Sequence, residues 1–216
     1  SCPCVIKNPF TFSILLTNLT VGLIESKLEE HKMLDIVNLN VVKPGDIIKL
    51  DKLKVEFIRT NHSIADSCSL AIHTPLGIIV HTGDFKVDFT PVDGNVIDLQ
   101  RFAKLGKQGV LLLMADSTNA CHPGYTMSEK TVGEKLDNLF SKGKGRIIVA
   151  TFASNIHRLQ QIINSSIKYG RKVAFSGRSM EKISDVAVKL GYLDMPEGLL
   201  VDLKDLRLYN NDQITI

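Results

Sequence analysis

Residues 58–86, IRTNHSIADSCSLAIHTPLGIIVHTGDFK, decide how the rest of this chain is read. Two apolar runs, 69–73 and 78–81, flank Pro75-Leu76-Gly77, which predicts a β-hairpin with a polar loop at each outer end. His62 stands in the loop before the first run and Asp84 in the loop after the second. A hairpin returns its outer ends to one edge of a sheet, so an imidazole and a carboxylate 22 positions apart are expected to meet there as half of a metal site. A histidine in a polar loop is by default a surface residue, and an aspartate after a glycine is by default a turn former. On the residues alone both readings stay open.

Working outward, 4–6 is a short apolar run before Asn8-Pro9, and residues 10–31 carry apolar positions at spacings that predict one packing helix. His31 closes that helix, where a cation suits the dipole. Strands are predicted over 36–42, 46–50 and 54–59, with Pro44-Gly45 as a turn. After the hairpin come a long loop over 85–95, a helix over 96–105 and the apolar run 110–114, which reads as a buried strand delivering Asp116 to its C-terminal end. Beyond Pro123-Gly124 the pattern alternates: helix 128–140, strand 146–150, helix 155–169, strand 172–175, helix 178–190. Alternation implies parallel pairing through crossover helices, so the expected fold is α/β, with an α+β first part. Residues 214–216 read as an apolar strand left at an open sheet edge.

Composition narrows the classes. The chain has 216 residues, 44% apolar, with no run approaching the roughly 18 to 20 apolar residues of a membrane span. Residues 1–10 lack a signal peptide's basic start and apolar centre, so a soluble, cytoplasmic protein without membrane partners is expected. The cysteines, Cys2, Cys4, Cys68 and Cys121, form no C-x-x-C pair and read as free thiols rather than a zinc site. Residues 1–121 hold 12 Lys+Arg against 13 Asp+Glu, and 122–216 hold 14 against 10. The basic bias of the second part is compatible with phosphate contacts and equally with ordinary surface.

The motifs NHSIADS and HTGDFK, followed by ADSTN at 115–119 and ATFASNIHR at 150–158, resemble the ribonuclease J family, in the β-CASP branch of the metallo-β-lactamase superfamily. The resemblance implies a partial αββα metallo-β-lactamase sandwich over 1–121 followed by part of a β-CASP domain with a parallel sheet over 122–216. It implies a two-zinc hydrolase that activates water for in-line attack on RNA phosphodiesters, acting as an endonuclease and a 5′-to-3′ exonuclease in RNA processing and decay. His62 becomes a metal ligand and Asp84 a carboxylate bridging two ions, which hydrolytic sites hold roughly 3.5–4 Å apart. Asp116 becomes an active-site acid, and Ser154, Asn155 and Ile156 contact the RNA backbone at a helix start, where a plain N-cap is the bland alternative. His81 reads as structural, and His73 and His122 as non-ligands. His157, Arg158 and the turn 176–179 are weaker phosphate candidates. A homo-oligomer or a complex with a paralogue is implied for the full-length protein.

The family's His-x-His-x-Asp-His motif does not occur between Ser1 and Asn61, nor do two later histidine motifs occur toward the C-terminus. The expectation is therefore an internal fragment of an enzyme, inactive alone, with an incomplete zinc site. Two rivals remain open: a DNA-processing β-CASP nuclease, separable by competition between RNA and DNA of one sequence, and a non-catalytic scaffold, separable by metal content and turnover.

Overall fold

A computed structural model describes residues 4–8 and 11–216, with side chains from residue 13 onward. Cys2 lies outside the described residues, as does the side chain of Cys4. The chain separates into two compact units, Ser1–His62 with Asp66–Met127, and Ser63–Ala65 with Ser128–Ile216.

In the first unit β1 (Cys4–Asn8) pairs antiparallel with β2 (Thr11–Thr17), which leads into α1 (Asn18–Glu30) and on to β3 (Val37–Val42), parallel to β2. The single helix predicted over 10–31 is thus a strand followed by a helix. Its apolar spacing fits both periods, and TFSILLT, rich in β-branched and aromatic residues, takes the extended form once β1 and β3 flank it. Asp66 accepts a hydrogen bond from Leu19 N–H (3.0 Å), so a residue 47 positions away satisfies a donor at the start of α1.

A second sheet follows in the order β4 (Ile47–Leu50), β5 (Leu53–Arg59), β6 (Cys68–Thr74), β7 (Gly77–His81) and β8 (Val110–Met114). Neighbours are antiparallel as far as β7, and β8 runs parallel to β7. The hairpin β6–β7 closes at Thr74↔Gly77. The Thr74 hydroxyl accepts from the N–H groups of Leu76 and Gly77, and a Cβ on Gly77 (φ +147°) would stand 2.9 Å from Leu111 Cβ. Leu15 and Val42 of the first sheet pack with Val55, Phe57, Cys68 and Leu70 of the second. Ile58, Ala71 and Val80, on the opposite face, pack with Leu105 of α2 (Leu99–Gln108). With α1 contacting β2 and β3, the layers run helix, sheet, sheet, helix, as the αββα expectation requires.

Two details differ from the sequence reading. The helix predicted over 96–105 starts at Leu99, because the Asn61 side chain accepts from Ile97 N–H (2.9 Å) and Asp98 N–H bonds to the Arg59 carbonyl, which holds 95–98 out of the helix until the Asp98 cap. The run 110–114 is a strand but not a buried one: it lies at the end of the sheet order, and its five side chains are 36–61% exposed. A continuous apolar run implies cover on both faces, and the described residues provide it on neither.

The second unit carries α3 (Glu129–Lys142), α4 (Ile156–Lys168), β9 (Lys172–Val173), α5 (Arg178–Lys189) and β10 (Ile214–Thr215). β9 and β10 are parallel, Ile147 bridges Thr215 in parallel, and Val173 bridges Leu200 in parallel. The expected parallel pairing is present, in the spatial order 147–149, β10, β9, 199–201. The strand predicted over 146–150 shrinks to that bridge and its flanking hydrogen bonds. Residues 214–216 are not the expected edge: they lie centrally, with Ile214 and Thr215 at 0% exposure. Their sequence position after the last helix says nothing about which neighbours they enter between. Leu136 and Phe140 of α3 pack with Ile162 of α4 against Ile147 and Val149, and Leu206 packs with Ala174 and Ile214. Among the described residues no helix is long and apolar enough to cross a membrane.

Candidate functional site

Three loops of the first unit bear the motif residues: the one between β5 and β6 with His62, the one after β7 with Asp84, and the one after β8 with Asp116. The hairpin brings His62 Nε2 to 3.7 Å from Asp84 Oδ2. That exceeds a hydrogen bond and approaches the ~3.3 Å edge of a tetrahedron whose metal bonds are about 2.0 Å. Burial pushes the His62 pKa down, against the opposing pull of Asp84 and then Asp116, so the neutral imidazole that a metal needs is favoured. Asp116 is held below the usual carboxylate range, first by the backbone and side chain of Thr118, with Phe85 N–H adding to it. Its Oδ1 accepts from Thr118 N–H (2.8 Å) and Thr118 Oγ1 (2.7 Å). The two donors His62 and Asp84 fit as part of a zinc ligand set, and among the described residues no group of three or more His, Cys, Asp or Glu side chains completes one.

Neighbouring residues fix these loops. The carbonyl of Asn61 accepts from Lys86 N–H (2.8 Å), and its side-chain amide donates to the Asn95 carbonyl (2.6 Å), so the residue before His62 is tied to the long loop after Asp84. His81 Nδ1 accepts from Gly83 N–H (3.0 Å), a structural role for that ring. His73 contacts Glu56 (3.2 Å), away from the motif loops. Reasoning from sequence passed over Thr82, Asn61 and Asp66. The signal available for them was slight: small polar residues beside a strand end within otherwise loop-like composition.

Ser154, Asn155 and Ile156 lie in the second unit, at the start of α4. Asn155 Oδ1 accepts from Arg158 N–H (3.1 Å), an N-cap, while Asn155 N–H bonds to the Phe152 carbonyl and Ile156 N–H to the Ser154 carbonyl. The Ile156 side chain is core, at 1% exposure. Arg158 pairs with Glu129 (2.7 Å).

The family model "Ribonuclease J, beta-CASP domain" matches residues 144–216. Ribonuclease J of Synechocystis sp. is 51% identical over 190 residues, 88% of this chain and 30% of that protein. Ribonuclease J of Thermus thermophilus is 48% identical over 192 residues, 87% of this chain and 34% of that protein. Ribonuclease J2 of Bacillus subtilis is 37% identical over 209 residues, 97% and 38%. A crystal structure of a protein of unknown function from Enterococcus faecalis V583 superposes with a TM-score of 0.67 at 16% identity, covering 94% of this chain and 52% of that one, which shows the shared fold. The chain spans about a third of the length of these curated relatives. By these matches the chain is similar over most of its length to part of ribonuclease J proteins, and its residues 144–216 match the model of that family's β-CASP domain.

Proposed function

We propose that this chain is part of a cytoplasmic, zinc-dependent ribonuclease that hydrolyses RNA phosphodiester bonds, as an endonuclease and as a 5′-to-3′ exonuclease. The observation that carries the reading is the meeting of His62 and Asp84, 22 positions apart, within 3.7 Å of each other and close enough to Asp116 for mutual electrostatic influence. His62 Nε2 and the Asp84 carboxylate would hold zinc as two of its ligands, and the ion would supply Lewis acidity toward a phosphoryl oxygen. Asp116, kept ionised by Thr118, orients groups at the reaction centre by accepting hydrogen bonds. Ser154, Asn155 and Ile156 stand at the positive end of the α4 dipole, which favours the phosphate backbone irrespective of base. A homo-oligomer or a complex with a paralogue completes the proposed assembly.

A chimera tests this reading. In it, the chain replaces the matching 190 residues of the Synechocystis relative. Cleavage of 5′-labelled RNA by the chimera, and its loss in His62→Ala, is the expected result; unchanged cleavage in His62→Ala overturns the ligand assignment. DNA of the same sequence serves as competitor, and preferential cleavage of DNA overturns the RNA assignment.

A further inference from the structure

The geometry points to Thr82 as a positioning residue of this centre, its hydroxyl coupling the turn that carries Asp84 to the strand end that carries Asp116; the inference rests on the proposed reading of that centre. Thr82 follows β7 and is 8% exposed. Its Oγ1 accepts the N–H of Asp116 (2.9 Å) and donates to the carbonyl of Gly83 (2.8 Å). That carbonyl belongs to the peptide unit leading into Asp84. One hydroxyl, with one donor and two lone pairs, therefore sets both the plane from which Asp84 departs and the backbone of Asp116. The run from amide through hydroxyl to carbonyl points in one direction, so each bond polarises the next.

Thr82 is itself held from several sides. Its N–H donates to the Met114 carbonyl (3.0 Å), which ties it to β8, and its carbonyl accepts from the Ser69 hydroxyl (2.6 Å), with Ser69 1% exposed. Gly83, at φ +60°, is fixed on its other side by the bond from its N–H to His81 Nδ1. The Asp84 side chain is 69% exposed, so its position derives from the backbone beneath it more than from side-chain packing. A threonine that merely satisfied a buried amide would affect stability and leave the Asp84 backbone where it is. Thr82 bonds to both loops at once, and so its loss displaces both acids.

The test uses the whole chain, 15N-labelled, in unmodified form and as Thr82→Val and Thr82→Ser. In the unmodified chain, a slowly exchanging Thr82 hydroxyl proton with a cross-peak to the Asp116 amide is expected, and its absence overturns the inference whether or not any variant folds. In Thr82→Val, exchange of the Asp116 amide is expected to quicken about tenfold and the Asp84 amide resonance to move. The response of the His62 and Asp84 resonances to added Zn²⁺ is expected to weaken about tenfold, the loss typical of removing a residue that orients a ligand. Thr82→Ser keeps the hydroxyl and is expected to stay within about twofold of the unmodified chain in each readout. An Asp116 amide as protected in Thr82→Val as in the unmodified chain, or a Thr82→Ser as impaired as Thr82→Val, overturns the inference. The exchange data decide the role of Thr82 whether or not the two donors of this chain respond to zinc, and the chimera separately tests the metal reading.

Discussion

The Glu56 carboxylate of β5 receives two hydrogen bonds from the Arg101 guanidinium of α2, Nε to Oε1 and a terminal nitrogen to Oε2 (2.8 Å). Glu56 is 6% exposed, and His73 Nε2 lies 3.2 Å from the same Oε2, so the Glu56–Arg101 pair, with His73 beside it, fastens the helix to the sheet face. Arg101, aided by His73 and opposed by burial, holds the Glu56 pKa below the usual carboxylate range.

That lowered pKa makes the first unit acid-sensitive. A group whose pKa is depressed on folding contributes stability above its unfolded pKa, about 4.3, and loses it as pH falls through the folded value. Urea denaturation from pH 7 downward is expected to show stability declining below about pH 5, with a shallower decline in Glu56→Gln. Arg101→Leu leaves the buried carboxylate without its bidentate partner and is expected to cost about 2–4 kcal/mol at pH 7. An Arg101→Leu protein as stable as the original would show that the pair contributes nothing to holding α2.

In the second unit, Arg171 is 3% exposed and donates to the carbonyls of Gly143 (2.6 Å), Gly145 (2.9 Å) and Ile214 (3.1 Å). It joins the end of α3 to β10. Arg171→Leu is expected to lower stability by about 2–4 kcal/mol, since the bonds of a buried guanidinium to three carbonyls are lost. Gly143→Ala places a Cβ 2.9 Å from Ile147 Cδ1 and 3.2 Å from the guanidinium, for an expected loss of about 1–3 kcal/mol. Hydrogen exchange over 128–216 checks both, and wild-type protection in either variant contradicts the packing argument.

The two thiols with described side chains should react very differently. Burial pushes the Cys68 thiol up to about 12, and its Sγ contacts the Asp66 carbonyl (3.6 Å); Cys121 is exposed. At pH 8 the thiolate fraction of Cys68 is about 10³-fold below that of an ordinary cysteine, so alkylation mapped by peptide mass spectrometry is expected at Cys121 long before Cys68. Equal rates in the folded protein would contradict the burial of Cys68 between the two sheets.

Zinc alone should bind this chain weakly. His62 and Asp84 supply two donors, and structural zinc sites use four. Calorimetry at pH 7 is expected to give a Kd no tighter than about 1 μM, about −8 kcal/mol, against the 10–16 kcal/mol typical of closed zinc sites. A nanomolar, stoichiometric isotherm abolished in His62→Ala would show that the donor set is complete within the chain.

Local chemistry was legible wherever one short segment determines its own structure. The hairpin at Pro75-Leu76-Gly77 needs only alternation and a turn residue with positive φ, and the N-cap reading of Asn155 needs only a backbone amide three residues on. The motif residues His62 and Asp84 were likewise nameable from sequence, and the hairpin between them explains why they meet. What the tertiary structure alone decided depends on distant neighbours. Thr11–Thr17 becomes a strand because β1 and β3 lie beside it, and Val110–Met114 stays exposed because it ends the sheet order. Ile214–Ile216 lies at the centre of its sheet because 147–149 and β9 flank it. Periodicity records which residues favour burial but not which segments arrive to bury them, and the hydroxyl of Thr82 between Asp84 and Asp116 exists only where two loops 34 positions apart are folded together.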